Sequence, residues 1–223
     1  MKFKISTSQD AVKDSGGNSF IGQSGIYDVT LNFVSLSETK NGAQQVNFNL
    51  DYNGNQQTIY GFIVANTNGE PNEIGMRLVN KLGVIAGMEE GDELDVEEET
   101  HKVGKDNKEQ DFDVITHFSD LGCKIRVQVE YSNYNGEIRR NLVIRNFFRE
   151  DGASAQEIVN DSDEIGKQYK MEEEKYSSTP SYQDGVTPEE AEEFEEAQRK
   201  GNGKATKAKT TKASSAKKKS LFK

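Results

Sequence analysis

Three Asn-Gly pairs, Asn41-Gly42, Asn53-Gly54 and Asn135-Gly136, lie between runs that alternate apolar and polar side chains. No other feature constrains the fold of this chain as strongly. Asn-Gly supplies the positive φ angles of tight hairpin turns, and period-two alternation marks strands buried on one face. Residues 26–36, IYDVTLNFVSL, set Tyr27, Val29, Leu31 and Phe33 on one side and Asp28, Thr30 and Asn32 on the other. After SETKNGAQQ, Val46, Phe48, Leu50 and Tyr52 alternate against Asn47, Asn49 and Asp51. TIYGFIV reads as a third strand, in which Gly61 is expected to mark a bend or a bulge.

The period then changes. In PNEIGMRLVNKLGVIAGM, Ile74, Leu78, Leu82 and Ile85 fall on one helical face, with Pro71 near the start and Gly87 at the stop. Gly75 and Gly83 each weaken such a helix by roughly 1 kcal/mol, so packing has to hold it. Residues 89–110 read as an acidic, polar loop, and residues 112–121 fit a strand or a short helix, the helix being favoured. Two further strands are expected over about 122–131 and 138–148. Three meandering strands, a helix and a closing hairpin are the element order of an OB-fold. That fold is a five-stranded Greek-key barrel with its helix between strands three and four. The barrel is assigned to residues 20–151, behind an N-terminal extension of residues 1–19. In such a barrel the outer face of strands two and three and the 1–2 and 4–5 loops are left to bind.

Charge divides the chain into three regimes. Residues 1–156 carry a net −9, residues 157–198 a net −11 and residues 199–223 a net +10. Both of the last two are poor in aliphatic side chains and low in complexity, so residues 152–223 are expected to form a disordered tail, acidic over 157–198 and basic over 199–223. One helix is allowed within it, at 188–199, because Thr187-Pro188-Glu189-Glu190 offers a cap, a proline at the first turn and early acids. Inside the acidic first regime, residues 124–149 hold six basic side chains against two acids. The final hairpin is therefore a local basic island.

The chain offers little for catalysis. It lacks a phosphate-binding G-x-x-x-x-G-K-[ST] loop, an H-E-x-x-H helix and a G-x-S-x-G elbow. Two histidines and the single Cys123 cannot assemble the usual zinc set, and one cysteine builds no internal disulfide framework. No catalytic residue, metal or cofactor is expected. No apolar run nears the roughly 20 residues of a membrane helix, and MKFKISTSQD lacks the apolar stretch of a secretory signal. A cytoplasmic protein that is not an enzyme is the expectation.

Binding is the better-supported chemistry. On the hairpin, Lys124, Arg126, Arg139, Arg140 and Arg145 are candidates for phosphate contacts, while Tyr131 and Tyr134 are candidates for stacking on bases. By alternation from Thr58, Tyr60 and Phe62 join Asn47 and Asn49 on an outer sheet face, with Lys40 in the 1–2 loop as an added cation.

The stretches GIYDVTLNFVSLSETKNGAQQVNFNL and LGCKIRVQVEYSNYNGEIRRNLVIRNFF, followed by a charged tail, resemble the OB-fold single-stranded DNA-binding proteins encoded by tailed bacteriophages. The resemblance spans about residues 20–150. It implies coating of single-stranded DNA with little sequence preference during phage replication or recombination, in the host cytoplasm, without cofactor or catalysis. It also implies a tail that recruits replication or recombination proteins and competes with DNA. This chain departs from that plan, because its acidic run is internal and KKKSLFK follows it. The alternative is a protein-interaction or structural module of a viral assembly.

Overall fold

The computed structural model describes residues 20–104, 106–176 and 178–200. The N-terminal extension and the basic stretch 201–223 lie outside these residues. The described chain forms two compact units. The first comprises the residues up to 128 together with 142–179, and the second 129–141 with the residues from 180 onward.

The first unit is built on an antiparallel sheet. Strands β1 (Gly25–Glu38), β2 (Gln44–Tyr52) and β3 (Asn55–Ala65) form the expected meander. Asn53 and Gly54 take φ of 53° and 76°, as a two-residue turn between right-twisted strands requires, and Asp51 Oδ1 accepts from Gly54 N at 2.8 Å. A bulge at Asn32 interrupts the β1–β2 register. The extra residue inverts the alternation. Leu31 and then Val34 point into the core, whereas Phe33, expected beside Leu31, turns to the opposite face. A second irregularity falls on the β2–β3 register opposite Gly61, where an added Cβ would collide with the Val46 carbonyl.

Helix α1 (Glu73–Ile85) starts where the sequence placed it, with the Asn72 side chain accepting from Gly75 N, and ends before Gly87 at φ +85°. Its buried face keeps the expected Leu82 and Ile85, with Leu78 packed against the core, but Ile74 is 71% exposed, and Gly75, Val79 and Gly83 are buried as well. Gly75 is the reason: its Cα rests against the Ile63 carbonyl of β3, an approach any side chain would block.

Residues 96–115, expected mostly as a polar loop, form a hairpin of β4 (Val96–Val103) and β5 (Lys108–Ile115). Its half-buried positions in β4 include Glu99 and His101, so no apolar alternation announces it. The ambiguous segment 112–121 resolves into the end of β5 and a single 3-10 turn over Thr116–Phe118. Strands β6 (Leu121–Tyr134) and β7 (Glu137–Phe148) form the final hairpin, turned by Asn135 and Gly136 at φ 53° and 84°. Strand β1 pairs with β6 along Gly25–Leu31 and with β5 at Ser35 and Leu36. Among the described residues β3 pairs only with β2, and β7 only with β6, so the sheet follows an open path rather than the closed five-stranded barrel expected. The core beneath it gathers Leu31, Val46, Phe48, Leu82, Ile125 and Phe147.

The expected disorder of the tail does not hold for residues 152–200. Within the first unit, α2 (Ala155–Val159) starts from a reciprocal Ser154–Glu157 capping box and α3 (Lys167–Tyr176) follows. Within the second, β8 (Ser181–Tyr182) pairs parallel to β6, and α4 (Pro188–Arg199) carries the anticipated cap at Thr187 with proline in its first turn. Few apolar residues suffice here: Val186, Ala191 and Phe194 of the second unit are buried together with Val129, Tyr131 and Ile138.

Candidate nucleic-acid interface

Strand alternation sends Cys123, Ile125 and Val127 of β6 into the core and leaves Lys124, Arg126 and Gln128 on the outer face, as expected. That face is occupied. Helix α3 supplies Glu172, only 6% exposed, whose Oε2 stands 2.6 Å from Arg126 Nε. The contact is an ion pair without a directed hydrogen bond. Glu172 Oε1 accepts from Asn146 Nδ2 at 2.7 Å and Gln168 Nε2 at 3.0 Å, and Asn146 Oδ1 in turn accepts from Lys81 Nζ at 2.9 Å. Burial lowers the Lys81 pKa, against the pull of the Glu172 carboxylate. Lys124 pairs with Asp28 and lies 5.9 Å from the Tyr169 ring centre, while Arg126 lies 5.4 Å from that of Tyr176. Arg145 Nε donates to Gln128 Oε1 at 2.9 Å. Three of the candidate phosphate contacts thus share one face, and its charge is met by side chains of the same chain.

In the second unit the candidates divide. Tyr131 is buried, which removes it as a platform for bases: its ring stacks on Tyr182 at 5.8 Å and its hydroxyl donates to Glu195 Oε1 at 2.7 Å. Burial first, and then the Glu195 carboxylate, push its pKa up to about 12. Arg140 Nε approaches the same carboxylate oxygen at 2.8 Å. Tyr134 and Arg139 remain open. The Tyr134 ring is 55% exposed and carries the Arg139 guanidinium 4.0 Å above its centre, a flat cationic pair at the hairpin turn.

The outer face of β1–β3 is a ladder of amides and hydroxyls. Gln45 Nε2 donates to Asn47 Oδ1 at 2.8 Å, Asn47 Nδ2 to Ser37 Oγ at 2.7 Å, and Thr58 Oγ1 to Asn49 Oδ1 at 2.7 Å. Strand β4 reaches this face, where His101 stacks on Phe33 at 3.9 Å and pairs with Glu99 at 2.7 Å. A small cleft of about 120 Å³ remains between Asn49, Gln56 and Thr58 on one side and His101 to Gly104 on the other. Tyr60, opposite Asn47 in the register, stands 73% exposed. Phe62 does not join it: beyond the bulge its ring packs 5.7 Å from Phe48 against the core. Lys40 is exposed in the β1–β2 loop.

Sequence reasoning missed Glu172, Asn146 and Lys81, which hold α3 to the outer face of β6. The signal is the acidic run KMEEEKY set beside the basic hairpin, whose shortage of apolar residues points instead to unstructured chain. Among the described residues no cluster of three or more histidine, cysteine or carboxylate side chains could hold a metal ion, and no helix is long and apolar enough to cross a membrane. The chain matches no protein-family model and no curated protein.

Proposed function

We propose that this chain is an OB-type single-stranded DNA-binding protein, of the kind tailed phages use in replication or recombination, working in the host cytoplasm. The observation that carries the reading is Tyr60, an aromatic ring 73% exposed beside a ladder of amides on the β1–β3 face. Exposing a large ring on a polar sheet face has no folding benefit, whereas base stacking on such a ring is tolerant of sequence and contributes roughly 1–3 kcal/mol per base. The Tyr134–Arg139 pair is a second, separate platform. The order of β1–β3, α1 and the β6–β7 hairpin supports an OB-type plan, with β4–β5 as an insertion that takes the place of barrel closure. Under this reading Glu172 of α3 covers Arg126 and Asp28 of β1 holds Lys124 in the DNA-free state, and phosphates take the place of these acids on binding.

The test is substitution of the two exposed rings. Tyr60→Ala and Tyr134→Ala each weaken binding of an unstructured pyrimidine oligonucleotide by roughly 5- to 150-fold while leaving the melting temperature unchanged, because neither ring is buried. A second reading, a protein-interaction module, is favoured by the carboxylates already seated on Arg126 and Arg140. It predicts no measurable oligonucleotide binding by the parent chain or either variant.

A further inference from the structure

The first unit contains an apolar groove that the DNA-binding reading does not use. It runs between the C-terminal half of α1, the following loop and α2, with a volume of about 720 Å³. Val84, Met88, Leu94 and Ile158 line it, and Val159, 70% exposed, forms its edge. Every charged side chain on its rim is acidic: Glu89, Glu90 and Asp92. The loop holding them is fixed by its own turn, with Glu89 N donating to Asp92 Oδ2 at 2.8 Å. Residues 89–95 contain five acids and no base. The volume lies in the range of sites that enclose a few side chains, and an exposed apolar surface rimmed by charge marks an interaction site.

We propose that this groove binds the segment 217–223 of this chain, KKKSLFK. Complementarity selects the occupant. The segment places two large apolar side chains, Leu221 and Phe222, one serine after three lysines and just before a fourth. The apolar pair suits the Val84–Met88–Leu94–Ile158 floor, and the lysines suit the carboxylates beside it. No other stretch of the sequence combines four cations, no acid and adjacent large apolar residues within seven positions. The nearest in character, MKFKI at residues 1–5, has two lysines. The interaction is electrostatic at its rim and therefore weakens with salt.

Photo-cross-linking in the full chain tests the assignment. A benzophenone side chain replaces Phe222, and cross-linked peptides are mapped by mass spectrometry. The main products should join position 222 to residues 79–94 or 158–159. Glu89→Lys with Glu90→Lys, both exposed, should lower their yield at least tenfold without changing the melting temperature. An excess of KKKSLFK peptide should also suppress them, whereas KKKSSSK should not. Cross-links scattered over the chain, an unchanged yield in the charge-reversed variant, or preferential capture of the groove by a benzophenone at Phe3 would each overturn the proposal. None of these readouts depends on DNA.

Discussion

Replacing Glu172 with glutamine perturbs the account at its most informative point. The carboxylate is almost fully buried, faces Arg126 at 2.6 Å, and accepts from Asn146 and Gln168. Breaking a buried ion pair by removing one partner costs about 3–5 kcal/mol, because the other charge is left without compensation. Glutamine keeps one carbonyl oxygen for Asn146 and Gln168, so about 3 kcal/mol is the expected loss. That loss falls on the state in which α3 lies on the strand, since a released Arg126 is hydrated. A 3 kcal/mol shift corresponds to about a hundredfold in an equilibrium constant. Amide hydrogen exchange over Lys167–Tyr176 should therefore accelerate by up to about a hundredfold while the β1–β2 amides keep their protection. If DNA phosphates displace α3, oligonucleotide affinity should rise by up to the same factor. Glu174→Gln, on an exposed position of the same helix, should change neither quantity. The reasoning fails if exchange in α3 is unaltered by Glu172→Gln, or if α3 loosens with no gain in affinity.

Three further outcomes follow from the packing. Gly75→Ala should destabilise the protein by about 1–3 kcal/mol in denaturant titrations, because the added methyl meets the Ile63 carbonyl; no loss would mean α1 does not lie that close to β3. Tyr131 holds its proton up to about 12 in the folded state, against about 10 when unfolded. Its contribution to stability is present below pH 10 and is lost as pH rises from 10 to 12. Tyr131→Phe should remove that step from the stability profile, and an unchanged alkaline limb would refute the assignment. The Cys123 thiol is buried and pushed up to about 12, so a thiol reagent at pH 8 should label it only after unfolding, whereas prompt labelling of the native protein would contradict its burial.

The hairpin turns were legible because chemistry there is local. Asn53-Gly54 and Asn135-Gly136 adopt the positive φ pairs that their residue types favour, and Thr187 caps α4 through its own side chain. The misreadings came where tertiary contacts override the pattern. A single extra residue at Asn32 turned Phe33 over, and the close approach at Gly75 leaves Ile74 exposed while Leu82 and Ile85 stay buried as expected. The β4–β5 hairpin was hidden because Glu99 and His101 occupy half-buried positions where alternation leads one to look for aliphatic residues. The candidate site shows the same division. Which β6 residues face outward could be read from period two, but what covers them could not, since α3 docks through a buried carboxylate and has little apolar surface. Tyr131 and Tyr134 look alike in sequence, three residues apart. The packing of Phe194 and Tyr182 buries the first and leaves the second open.

Titration of the full chain with oligothymidine, followed by intrinsic tyrosine fluorescence, tests the central claim most directly, since no tryptophan masks the signal. The account predicts saturable quenching at low salt, with an affinity that falls as salt is raised, because phosphates must displace the acids now facing Lys124 and Arg126. Absence of any quenching at low salt would contradict it.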